Sequence, residues 1–178
     1  MWTNQVIEAV KEIANEYQKE QLIFLTESDF KTSLSNRIKE KVSDNITVNT
    51  ESPWYDTYET NSTYFIDITA FDRNKLNLTY DPTTNRKGYK YEEEALVIEL
   101  KYFRYNEDIN EIAADFNKMR LLVKAPKNEC FIIALARTLE QFELAKVYMK
   151  NQNNIYKTEY NNRVKVYLIG VEKIIEIT

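Results

Sequence analysis

The chain has 178 residues, 43% hydrophobic, with a formal charge of −4, no histidine and one cysteine. That length can bury a substantial core, and the composition is that of a globular chain. The acidic balance argues against coating nucleic acid by bulk electrostatics, while leaving room for a locally basic groove. Without histidine there is no Ser-His or Cys-His nucleophile and no histidine-ligated zinc. Catalysis would fall to carboxylates, Lys, Tyr, Ser, Thr or an oxygen-held metal.

Val6, Ile7, Val10, Ile13, Ala14 and Tyr17 recur at helical spacing, which predicts an amphipathic helix over 3–20. Its acids leave no apolar stretch for a cleaved leader, and no run approaches the ~20 apolar residues of a membrane span. "TESD" at 26–29 reads as a capping box opening a second helix, with Phe30, Leu34, Ile38 and Val42 as its apolar row to about Ser43. Glu27 falls on the core side of that helix, Asp29 on the outer side.

"ITVNT" (46–50) reads as a strand ending at Glu51, and "SPWYDTYETN" as a loop. "TYFIDITAF" (63–71) alternates, with Tyr64, Ile66, Ile68 and Ala70 on one face and Phe65, Asp67, Thr69 and Phe71 on the other. A further strand is expected in "KLNLTY" (75–80), then a turn over 81–88 and a return through "ALVIELKYF". "DINE" (108–111) reads as another capping box before a helix to about Leu122. "CFIIALA" (130–136) is apolar throughout, as a strand covered on both faces should be, with Cys130 a buried thiol. A lone cysteine forms no internal disulfide, which fits a reducing, cytoplasmic setting. A helix through Leu139, Phe142, Ala145 and Met149 and two strands flanking Gly170 complete the chain. The expected fold is α/β: a mixed sheet flanked by helices.

Glu99 and Lys101 interrupt the apolar strand "ALVIELKYFR", and Asp67 interrupts "FIDITAF". Alternate strand residues face one way, so Glu99 and Lys101 project together about 7 Å apart. If the two strands pair antiparallel, Asp67 lies across from them. For a lone Glu-x-Lys, an ordinary solvated strand end is the common explanation; Asp67 and the element order raise the stakes.

These residues, with the helix and buried strand that follow, resemble the PD-(D/E)xK nucleases of the restriction-endonuclease-like superfamily. The resemblance spans Thr26 to Arg137 and implies an αβββαβ core at 26–137 of one nuclease-like domain (1–178). A helix at 1–25 would precede that core, and a helix and strands at 138–178 would follow it. Ile66 stands where the motif has proline, and an inserted hairpin at 75–90 lengthens the gap between the motif strands. "DFNKM" (115–119) is similar to the polar helix stripe of many members.

The resemblance implies catalytic roles for Asp67, Glu99 and Lys101. It implies Mg²⁺, or Mn²⁺, held by Asp67, Glu99, the Leu100 carbonyl and Glu27, a hard-cation oxygen set. Glu51 has a weaker claim to the site. The implied activity is phosphodiester hydrolysis of nucleic acid, DNA above all; the alternative is a catalytically inactive member serving nucleic-acid binding or assembly. Arg73, Lys75, Arg86, Lys87 and Arg104, interleaved with tyrosines, would form a basic rim touching phosphates and bases. Cutting both strands of a duplex would call for two sites, hence a homodimer.

Overall fold

A computed structural model describes residues 2–55, 63–81, 86–91, 94–125 and 127–178, with only the backbone described at 55, 76–81 and 86–91. The elements are α1 (Thr3–Lys19), α2 (Glu27–Lys41), β1 (Ile46–Tyr55), β2 (Thr63–Asp72), β3 (Leu76–Asp81), β4 (Arg86–Tyr91), β5 (Ala95–Phe103), α3 (Ile112–Leu122), β6 (Asn128–Ala136), α4 (Leu139–Tyr160), β7 (Val164–Ile169) and β8 (Ile174–Glu176). Among the described residues the strands form one eight-stranded sheet in the order β3-β4-β1-β2-β5-β6-β7-β8. β5, β6 and β7 run parallel, whereas β2 pairs antiparallel with both β1 and β5. The fold class is α/β, a mixed sheet with helices on both faces.

Each face carries its own core layer. α1 and α2 press Val10, Ile13, Phe30, Leu34 and Ile38 against Ile68, Ile98 and Ile133. On the other face, Phe116 and Met119 of α3 and Phe142 and Met149 of α4 meet Val97, Ile132 and Leu168. β6 is covered on both sides, and this explains its unbroken apolar run and the buried Cys130. No helix among the described residues is long and apolar enough to cross a membrane.

The capping box at α2 is present: Thr26 Oγ1 accepts from the Asp29 N–H at 3.1 Å, and Asp29 Oδ2 accepts from the Thr26 N–H at 2.9 Å. "DINE" behaves differently. The chain first turns as a 3₁₀ helix over Asn106–Glu111, where Asp108 accepts from the Arg104 and Tyr105 N–H groups at 2.8 and 3.0 Å. Asp108 therefore caps from the third position of the turn and is not its first residue.

β1 continues through Ser52-Pro53-Trp54 to Tyr55, a stretch whose sequence reads as loop. Proline removes a ladder donor and so disguises the strand; Trp54, 6% exposed, anchors it in the core. β4 begins at Arg86, which shortens the expected 81–88 turn; residues 82–85 lie outside the described part.

The strand faces also depart from simple alternation. Tyr64 and Ile66 pack in the α3/α4 layer, while Ile68 and Ala70 pack in the α1/α2 layer. β1 switches too, with Val48 against one layer and Trp54 in the other. The switch falls at Glu51 and Asp67, which the flanking pairs Thr50↔Ile68 and Ser52↔Ile66 set opposite each other. Glu51 has φ 53, in the left-handed region unusual for a side-chain-bearing residue, and this turns β1 over.

Gly170, just after β7, is closely packed. A Cβ at Gly170 would run into the Phe142 ring, with Cε2 at 2.9 Å. Gly170→Ala is expected to destabilise by about 1–3 kcal/mol through overpacking, read as a lower urea midpoint. An unchanged midpoint would mean that Phe142 has room to turn.

Candidate active site

The site begins where a ladder stops. β2 and β5 pair from Phe71↔Ala95 to Ile68↔Ile98, after which β5 runs on to Phe103 with β6 alone beside it. The β5 N–H groups that would have faced β2 still need acceptors. Two carboxylates supply them: Asp67 Oδ2 accepts from the Leu100 N–H at 2.8 Å, and Glu27 Oε2 from the Tyr102 N–H at 3.1 Å. The Leu100 carbonyl points to the same strand edge as its N–H. Asp67, Glu27 and the Leu100 carbonyl thus gather along one open edge of β5.

Glu99 projects from β5 to the α3 side and is 2% exposed. Its Oε2 accepts from Lys118 Nζ at 2.6 Å, and the same Nζ donates to the Phe65 carbonyl at 3.1 Å. Glu99 Oε1 is buried and has no hydrogen-bond partner among the described residues. Burial pushes the Glu99 carboxyl up to about 8 against the pull of Lys118, and the Asp67 and Asp115 charges push the same way. Asp115 of α3 is pushed to about 7, first by burial, while Lys118 and Lys101 pull it down and Asp67 and Glu27 raise it.

Lys101 lies within electrostatic reach of Asp115 and Glu27, yet its Nζ is bonded to Glu111 Oε2 at 2.6 Å. Burial opposes its charge, but the Glu111 bond and the surrounding acids hold its pKa above the ordinary lysine value. From the other face of the sheet, Lys31 of α2 bonds Asp67 Oδ1 at 3.0 Å and also bonds Glu51 Oε1. Lys31 is raised as well: burial lowers it, and Glu51 and Asp67 outweigh that.

The structure therefore gathers Glu27, Asp67, Glu99, Leu100 and Lys101 around one end of β5, with Glu51 linked to Asp67 through Lys31. Among the described residues, no group of three or more His, Cys, Asp or Glu side chains stands ready to hold a metal. Asp67 and Glu99 still fit a hard cation: both are oxygen donors, and Glu99 offers a buried, unpartnered oxygen.

Among the described side chains, the expected basic rim does not gather on one surface. Arg73 and Lys75 sit in a 3₁₀ turn after β2, about 20 Å along that strand from Asp67. Arg73 donates there to the Asp44 carbonyl at 2.9 Å. Arg104 follows the opposite end of β5. The antiparallel register, Phe71 against Ala95, sends the two groups to opposite ends of the sheet. Arg86 and Lys87 open β4 opposite Asp81 and Tyr80, and their side chains lie outside the described part.

Sequence reasoning missed Lys31 and singled out Lys118 only as part of the polar stripe of 115–119. A signal existed for Lys31, since Glu27 and Lys31 stand one helical turn apart and share a face. That stripe did not reveal the partner of Lys118, because Glu99 is on β5.

No protein-family model matches the chain, and no curated protein matches it. One solved structure, the central domain of yeast acetyl-CoA carboxylase, aligns with 94% of this chain at 8% identity and a TM-score of 0.35. The match covers 31% of that chain, and at that TM-score the likeness carries no argument about fold or function.

Proposed function

We propose that this chain is a metal-dependent phosphodiesterase of the restriction-endonuclease-like kind, acting on nucleic acid and on DNA above all. The observation that carries the reading is the buried, unpartnered Oε1 of Glu99, whose carboxyl lies within electrostatic reach of Asp67 where the β2–β5 ladder ends. Two carboxylates on diverging strands suit a cation that takes few protein ligands and keeps the rest of its shell for water and phosphate.

In this reading Asp67 and Glu99 hold Mg²⁺ or Mn²⁺, with the Leu100 carbonyl and Glu27 as further oxygens on the same edge. The bound ion supplies Lewis-acid polarisation of the phosphoryl group and acidifies water. Lys101, released from Glu111, orients the attacking water or offsets charge on the phosphate. Asp115, its carboxyl pushed up to about 7 by burial, carries less negative charge near neutral pH than an exposed aspartate, which limits repulsion against the incoming phosphate.

One observation favours a second reading, a catalytically inactive member used for nucleic-acid binding or assembly. Each acid already has a lysine, and Lys101 is turned to Glu111. A nicking assay on supercoiled DNA separates the two. Cleavage is expected with Mg²⁺ or Mn²⁺, with loss on chelation. Lys101→Ala should remove most of the activity while retaining metal affinity, because the ammonium ligates nothing. A protein that binds metal and cuts neither DNA nor RNA belongs to the second reading. Size-exclusion with light scattering checks the homodimer that double-strand cutting would call for.

A further inference from the structure

The acidic pair comes with cations of its own. Lys118 reaches Glu99 Oε2 and the Phe65 carbonyl from α3; Lys31 reaches Asp67 Oδ1 and Glu51 from α2. Each ammonium thus stands between oxygens of two residues, as a bound ion would. Neither pair is a loose surface contact, with side-chain exposures of 21% and 3% for Lys118 and Glu99, and 14% and 16% for Lys31 and Asp67.

The match is incomplete. Lys118 satisfies one Glu99 oxygen and leaves Oε1 buried without a partner. The lysines approach from opposite faces of the sheet, and neither bridges Asp67 and Glu99. A divalent ion held by Asp67 and Glu99 could use the open oxygen, but it would share each carboxylate with an ammonium group, which repels it.

Resting on the metal-site reading above, we propose that Lys31 and Lys118 are resident cations, one bonded to each carboxyl group, that a divalent cation must displace. Two helix-borne lysines then gate the metal, and its affinity is set as much by them as by the ligands. The gate also explains the lysine at each acid without assigning either one to the chemical step.

The test is Mn²⁺ titration by calorimetry on the full chain and on Lys31→Met, Lys118→Met and Lys41→Met. Lys41 is bonded to Glu12 of α1 and serves as the control for loss of one positive charge. Lys31→Met and Lys118→Met should each tighten Mn²⁺ by roughly tenfold, the scale expected from removing a charge that shares a carboxylate with the ion, and Lys41→Met should change it little. Equal affinity in all four proteins, or no binding in any, overturns the gate, and a change at one lysine alone overturns it as stated.

If Lys118→Met leaves Glu99 too exposed to repulsion to fold, the native chain gives the answer. Acetic anhydride labelling with mass-spectrometric readout should show Lys31 and Lys118 becoming several-fold more reactive when Mn²⁺ is added, with Lys41 unchanged. Unchanged labelling at Lys31 and Lys118 overturns the proposal. Cleavage is scored separately: tighter metal without cleavage sinks the nuclease reading and keeps the gate, whereas cleavage without tightening does the reverse.

Discussion

Under the proposed nuclease activity, Asp67→Asn is expected to lower Mg²⁺-dependent cleavage by roughly 10²–10³-fold, the range for losing one preorganised electrostatic contact at a reacting centre. The fold should survive, because the asparagine oxygen can still accept the Leu100 N–H that Asp67 now takes at 2.8 Å. Asp67→Ala should lose the same activity and destabilise the protein as well. It leaves a strand N–H without an acceptor at a partly buried edge, a cost of about 1–3 kcal/mol. It also leaves Lys31 with Glu51 alone. The pair of variants therefore separates two jobs of one carboxylate, finishing a strand edge and serving a reaction. Urea midpoints and nicking rates on both proteins check it. An Asp67→Asn protein that cuts DNA at the native rate would reduce Asp67 to a strand cap.

The antiparallel pairing that sets Asp67 near Glu99 was legible in the sequence, since two apolar alternating strands each carried one misplaced acid. The α2 cap was legible because its chemistry is local to four residues. The face switch at Glu51 and Asp67 was not, because strand alternation assumes a uniform ladder and nothing about a glutamate announces a left-handed backbone. Nor was the pairing of Lys118 with Glu99, a contact between a helix and a strand that spacing within either element cannot reveal. The separation of Arg73 and Lys75 from Arg104 was hidden for a different reason. Charge runs near in sequence to the acids seemed near in space, yet the antiparallel register places Arg73 and Arg104 at opposite ends of the sheet.

Stability should fall as pH rises from about 5 to about 8, and Glu99→Gln should flatten the upper part of that slope. Burial first, with Asp67 and Asp115 adding to it, pushes the Glu99 carboxyl from 4.5 up to about 8. Between those values the folded chain keeps a proton that the unfolded chain releases. A group of this sign contributes its full stability below the unfolded value and loses it as pH climbs to the folded one, at no more than ~1.4 kcal/mol per pH unit. Asp115 contributes a slope of the same sign, from 3.8 to about 7. Glu99 has the higher of the two values, so it dominates the upper part of the slope, and there the wild-type urea midpoint should drop more steeply than that of Glu99→Gln. Lys118 can still donate to the amide oxygen of the variant, so its position need not collapse. Saturating Mn²⁺ should restore the wild-type midpoint at pH 8–9, since it binds the ionised carboxylate, and should do little for Glu99→Gln. Parallel curves for the two proteins between pH 7 and 8 would mean that Glu99 is already ionised there, its charge held by Lys118 despite its burial.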